Sequence, residues 1–356
     1  MYIRRVVLKG FRNLRCLDVG ITPGMTCVVG ENNSGKTNFL FSLRLALDAN
    51  LPNYCRTLVA EDFSEGTDIS SPSQVFVGIE LTDFYDEEAD EKVKELALAQ
   101  EWAVEENVAR ICYRFRPGSA ARQAIESQER DGTDLTLDEY EYELVGGAVT
   151  DDDGNLKDLA DIEWDDNFSV FVRMGRLSAF RVAFLPAIRD VEDDLRRTAT
   201  SPLSRLLDVT DIPEDKRDEL VARIKKANDE VSEQSEIQDL AADIDTSMKE
   251  SVGPTFALDV ALGMASPTFS AVARALRVLL SGQGLEEAEP SRNGLGLNNA
   301  LYISMLLAYF EKRMAQNSTA GQLLLIEEPE AHLHPQLQRV IFGRFLARDC
   351  QIVATS

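Results

Sequence analysis

The stretch Thr26-Cys27-Val28-Val29-Gly30-Glu31-Asn32-Asn33-Ser34-Gly35-Lys36-Thr37-Asn38 decides the fold. Its first four residues form an apolar, β-rich run of the kind buried in a parallel sheet. The next eight match GxxxxGK[ST]. Glycines at both ends let the backbone curl, so that successive N–H groups of Glu31, Asn32, Asn33 and Ser34 point at an anion. Lys36 adds a cation, and Thr37 offers a hydroxyl to a divalent metal. From Asn38 to Ala49 the residues Phe39, Leu40, Leu43 and Leu47 recur at helical spacing, so the positive end of a helix is aimed at the same anion. Strand, glycine-rich loop and helix in this order make residues 30–37 a phosphate-binding loop.

The partner motif lies about 290 residues further on. Leu323-Leu324-Leu325-Ile326 is a buried-strand pattern that runs into Glu327-Glu328-Pro329-Glu330. Taken alone, this is a solvated acidic turn after a core strand. Beside a phosphate-binding loop it is a Walker B pattern. There Glu327 approaches Mg²⁺ and Glu328 orients or deprotonates the attacking water. The first acid is Glu where Asp is usual, so its reach to the metal is longer.

Between the motifs the patterning is mixed. Residues 2–9, 25–29, 74–82, 108–115, 139–145, 168–172, 181–185 and 351–355 read as strands, and 86–106 as a charged helix. From about Asp190 to Val252 the period becomes helical, with Leu220, Ile224, Ala227 and Val231, then Ile237, Leu240, Ile244 and Met248. These are surface helices of the main body or a protruding dimerisation arm. Residues 297–316 and 336–348 are further helices.

The chain carries a net charge of −24. That excludes a uniformly basic nucleic-acid face, though not a local patch. Residues 129–166 hold fifteen acids against Arg130 and Lys157. They form a solvated acidic surface or a docking surface for a basic partner. Cys16, Cys27, Cys55, Cys112 and Cys350 show no pairing pattern and read as reduced packing residues. No apolar run of about 18 residues spans a membrane, and Met1–Val6 lacks a signal-peptide core. A cytoplasmic location is the default.

Val7-Leu8-Lys9-Gly10-Phe11-Arg12-Asn13 resembles the opening strand and turn of RecF, SMC and Rad50 heads. Glu327-Glu328-Pro329-Glu330-Ala331-His332-Leu333-His334-Pro335 resembles the Walker B and D-loop of the OLD (overcoming lysogenisation defect) nucleases. Phe184–Asp190 and Asn293-Gly294-Leu295-Gly296-Leu297-Asn298-Asn299 are similar to that family too. The resemblance implies an α/β fold: an ABC-type P-loop ATPase head with mixed sheets and an α-helical dimerisation insertion. Its expected parts are residues 1–190 and 254–356 for the head and 191–253 for the insertion. It implies ATP and Mg²⁺ as cofactors, a homodimer or higher oligomer, and DNA as a partner of the full-length protein. Arg12, Asn13, residues 30–37 and Asn38 would bind nucleotide. Asn293, Gly294 and Gly296 would cover it from a second subunit, with Asn293 standing where the signature usually has Ser. Lys36 and Glu328 would be catalytic, and Thr37 and Glu327 would hold the metal. His332 and His334 are D-loop or packing residues, and no Q-loop glutamine is evident. The resemblance further implies a switch histidine and a Toprim nuclease domain after Ser356, so that this chain is a piece of a longer nuclease. The alternatives are a RecF- or SMC-like DNA clamp without nuclease activity and a nucleotide-dependent dimerisation switch.

Overall fold

The computed structural model describes residues 1–84, 99–178, 180–186, 202–208, 210, 212–252, 258–282, 285–289, 295–315, 321–329, 338, 339, 343 and 350–356. The chain divides into two compact units, Met1–Arg189 with Arg313–Ser356 and Asp190–Lys312.

The first unit begins with the strands Tyr2–Phe11 (β1), Leu14–Gly20 (β2) and Met25–Val28 (β3) and the helix Lys36–Leu47 (α1). Val75–Thr82 (β4), Ala103–Glu105 (β5) and Val108–Pro117 (β6) follow, then the helix Ser119–Glu126 (α2), Tyr140–Gly146 (β7) and Val170–Phe171 (β8). Met174–Leu177 (α3) and Phe180–Leu185 (β9) precede the second unit. That unit holds Pro202–Asp208 (α4), Glu214–Ser232 (α5), Ser235–Val252 (α6), Phe269–Ala275 (α7), the ribbon Leu280–Gly282 (β10) and Leu285–Ala288 (β11), and most of Leu295–Ala315 (α8). Gly321–Ile326 (β12) and Gln351–Thr355 (β13) return to the first unit.

Two sheets make the first unit. One is antiparallel, ordered β2-β1-β4-β6-β7-β8 with β5 paired to β6. The other is parallel, ordered β3-β13-β12-β9. Helix α1 packs on β4 and β6 of the first and on β9 and β13 of the second. Its position explains why Phe39, Leu40, Leu43, Leu45, Ala46 and Leu47 are all buried: a helix covered on two sides needs apolar residues around most of its circumference. Gln351 joins the sheets. Its buried amide accepts from Ile3 N–H and donates to Ile3 C=O, both at 2.8 Å.

The opposite face of the antiparallel sheet is covered by residues 149–168. Val149, Leu159 and Ile162 pack on Val7, Phe76, Cys112 and Val145. Above them Arg114, fully buried, donates to the carbonyls of Glu163, Trp164 and Asp166, and Arg116 to those of Trp164 and Asp166. Burial pushes both guanidinium groups below their ordinary pKa. Arg5 bridges Asp18 and Asp158, and Lys157 pairs with Asp166. Part of the acidic stretch is therefore a strap: its apolar residues and backbone carbonyls are held by the sheet beneath it, Asp158 pairs with Arg5 and Asp166 with Lys157, while Asp151, Asp152, Asp153, Asp161, Glu163 and Asp165 stay on the surface.

Other expectations need correction. Residues 85–98 of the expected charged helix lie outside the described residues, and Ala103–Glu105 is a strand because the chain reverses at Glu106-Asn107 to pair with β6. Strand β2 was hidden by its charged edge positions, and α2 lies where a polar connection is expected. Strand β3 is parallel, as its apolar run suggests, but it is the sheet edge, which leaves Cys27 exposed and Val29 77 % exposed. Cys16 is exposed too, so the packing role holds fully only for Cys112. Most of the helix expected at 336–348 lies outside the described residues.

In the second unit α5 and α6 follow one another with a short break at Glu233-Gln234. Leu220, Val231, Leu240 and Ile244 on them are exposed. Helix α8 buries Tyr302, Ile303, Leu306 and Leu307. No helix among the described residues is long and apolar enough to cross a membrane.

Candidate functional site

The loop between β3 and α1 is shaped by its two glycines. Gly35 has φ +102°, a region L-residues rarely enter, and a Cβ there would stand 2.8 Å from Asn13 Oδ1 and 2.9 Å from Leu14 Cδ2. A Cβ on Gly30 would stand 2.6 Å from Ser34 Oγ. Asn33, in the left-handed region at φ 66°, completes the curl. Ser34 N–H closes the turn on Glu31 C=O at 3.2 Å. Lys36 is 9 % exposed and its ammonium donates to Gly30 C=O at 2.5 Å and Glu31 C=O at 3.2 Å. Helix α1 starts at Lys36 with no acid in its first turn. No acid of the helix itself therefore offsets its positive end, which faces the loop.

Walker B meets this loop directly. Thr37 Oγ1 donates to Glu327 Oε1. Glu327 sits just past β12, 7 % exposed, with its N–H on Leu185 C=O at 2.9 Å. Glu328 follows with φ 44°, and its N–H donates to Thr355 Oγ1 at 3.1 Å. Parallel pairing of β12 with β13, and of β13 with β3, brings these residues together from far apart in sequence.

A second set flanks the loop. Arg12, at φ 49°, donates from Nε to Asp62 Oδ1 and from Nη1 to Asn38 Oδ1, both at 2.8 Å, and lies over the rings of Phe11 and Phe41. Asn38 donates to Asn13 Oδ1 at 2.8 Å, and Asn13 to Asn33 C=O at 3.1 Å. Asp62 thus reaches the loop through Arg12, Asn38 and Asn13. A cleft of about 710 Å³ opens here, lined by Arg12, Asn13, Asn38, Phe63 and Ser64 among others.

Of the residues singled out in the sequence, Arg12, Asn13, Gly30, Glu31, Asn32, Asn33, Ser34, Gly35, Lys36, Thr37, Asn38, Glu327 and Glu328 all belong to the first unit. Asn293 and Gly294 lie outside the described residues, as do His332 and His334, and Gly296 is in the first turn of α8. Asp62 and Thr355 were missed. An acid fifty positions from its arginine, and a threonine closing a strand, carry no local pattern.

The donor set fits a nucleotide with magnesium. The glycines leave a cradle that a Cβ would fill, and the Thr37–Glu327 contact places two hard oxygen ligands together. Fold and site together define a P-loop ATPase of the ABC type. The chain belongs to the AAA ATPase domain family, whose family model matches residues 1–356. It is 32% identical over 90 residues to the DNA replication and repair protein RecF of Rhodococcus erythropolis, a match spanning 23% of this chain and 21% of that one. It is 36% identical over 58 residues to structural maintenance of chromosomes protein 3 of Saccharomyces cerevisiae, spanning 16% of this chain and 5% of that one. These matches therefore take in at most about a fifth of the relatives' own length. Among solved structures, the recombination mediator RecF with ATP aligns over 100% of this chain and 93% of its own, at 11% identity and a TM-score of 0.42.

Proposed function

We propose that this chain is the ATPase head of an OLD-type nuclease, in which ATP binding and hydrolysis by paired heads regulate DNA processing. The observation that carries the ATPase chemistry is the meeting of Thr37 with Glu327, with Glu328 held beside them. The amides of residues 31–37 bind the phosphates, and Lys36 turns from its two carbonyls to the β- and γ-phosphates. Thr37 and Glu327 would hold magnesium, which when bound would supply positive charge to the phosphoryl oxygens. Glu328 orients the attacking water and takes its proton. Arg12, Asn13 and Asn38 bind the nucleotide on the cleft side. Asn293, Gly294 and Gly296 of a second copy close the site, and residues 191–253 serve as the dimerisation arm, a role supported by the exposed apolar residues of α5 and α6.

The nuclease part rests on the resemblance of Glu327–Pro335, Phe184–Asp190 and Asn293–Asn299. The RecF and structural-maintenance matches favour a second reading, a DNA-clamping ATPase that does not cut. Calorimetry with Lys36→Ala tests the site: ATP affinity falls at least about tenfold, a loss of about 1.4 kcal/mol, and unchanged affinity would overturn it. Incubation of the full-length protein with supercoiled plasmid, ATP and magnesium separates the readings. Nicked or linear product supports the nuclease, and retention of intact plasmid supports the clamp.

A further inference from the structure

The end of β13 touches both halves of the site. Ser356 accepts from Gly30 N–H at 3.4 Å and donates to Val28 C=O at 3.0 Å, so its main chain holds the root of the phosphate-binding loop. One residue earlier, Thr355 is fully buried and its Oγ1 accepts from Glu328 N–H at 3.1 Å. Glu328 needs such an anchor. Its φ of 44° lies in the left-handed region, which non-glycine residues leave unless neighbouring contacts hold them. The preceding residue is fixed twice, by Leu185 and by Thr37, whereas the N–H of Glu328 is tied to a side chain that sequence can change.

From this geometry we infer that Thr355 is a positioning residue for hydrolysis. Its hydroxyl sets the backbone of Glu328, and through it the direction of the carboxylate toward the attacking water, while taking no part in nucleotide binding. The inference rests on the role given above to Glu328. A strand that pairs with β3 on one side and β12 on the other thereby fixes the distance between the loop that binds phosphate and the acid that activates water.

The test compares Thr355→Val, Thr355→Ser and Glu328→Gln in ATP affinity and steady-state hydrolysis. Thr355→Val keeps the shape and loses the acceptor. Its kcat falls about tenfold to a hundredfold, the range expected for a misplaced catalytic group, while its ATP Kd stays within a factor of about two. Thr355→Ser recovers most of the rate. In the Glu328→Gln background, adding Thr355→Val produces no further loss, because the two residues act through one element. If Thr355→Val does not retain ATP affinity, Thr355→Ala removes the same hydroxyl without adding a methyl and carries the same expectation. A wild-type rate in Thr355→Val, an equal loss in Thr355→Ser, or a full additional loss in the Glu328→Gln background overturns the inference. A wild-type rate in Glu328→Gln alone is a different failure: it removes Glu328 from the chemistry, and the positioning role with it.

Discussion

Gly35 is the residue at which the loop tolerates least. Its φ of +102° and the 2.8 Å approach of Asn13 Oδ1 to an ideal Cβ act against any side chain there. Gly35→Ala should lower folding stability by about 1–2 kcal/mol from the backbone term alone, read as a lower urea midpoint with unchanged slope. It should weaken ATP binding as well, because Asn13 is displaced from Asn33 C=O. The need for Gly35, Lys36 and Thr37 was legible in the sequence because phosphate binding fixes residue types at fixed spacing. The partners that hold these residues were not. Asp62, which anchors Arg12, and Thr355, which anchors Glu328, act through hydrogen bonds that only the folded chain assembles. Arg12 itself was found, but as a nucleotide ligand. The structure adds that Asp62 and Asn38 already orient its guanidinium.

At the scale of elements, the strap over residues 149–168 is the part that sequence reading understood least. Its composition suggests solvent, whereas its apolar residues and backbone carbonyls are used by the sheet. Strands were found where β-branched residues alternate, as in β4 and β6. They were missed where edge exposure puts charges into the pattern, as in β2. The strap makes a pH prediction. The Arg5 hydrogen bond, helped by Ala160 N–H and opposed by partial burial, holds the Asp158 carboxyl down to about 2. A carboxyl depressed in the folded state stabilises above its unfolded value near pH 4 and loses that contribution as pH falls toward the folded one. Trp164 lies in the strap and its carbonyl is bound by Arg114 and Arg116. Tryptophan fluorescence should therefore show an acid step between about pH 4 and 2 that is diminished in Asp158→Asn. An identical profile in that variant would separate the strap from this ion pair.

At the scale of the molecule, the two sheets and α1 share one core, and the glycine-rich loop, Glu327 and Glu328 belong to that unit. If paired heads enclose the nucleotide, a hydrolysis-impaired chain should accumulate in the paired state. Glu328→Gln with ATP and magnesium should run at twice the monomer mass in light scattering, and the same chain without nucleotide should not. A monomer under both conditions would count against a shared site. The parallel sheet also sets an order of events during synthesis. Among the described residues strand β3 at residues 25–28 pairs only with β13 at residues 351–355, whereas β1, β2, β4 and β6 find their partners within the first 146 residues. At about 5–20 residues per second, the ribosome delivers β13 tens of seconds after the phosphate-binding loop has emerged. The nascent antiparallel sheet can form early, but the edge of β3 waits with its backbone unpaired. A stalled or prematurely released chain would thus leave the strand that leads into the phosphate-binding loop without its partner, and an unpaired strand edge of this kind is what chaperones cover.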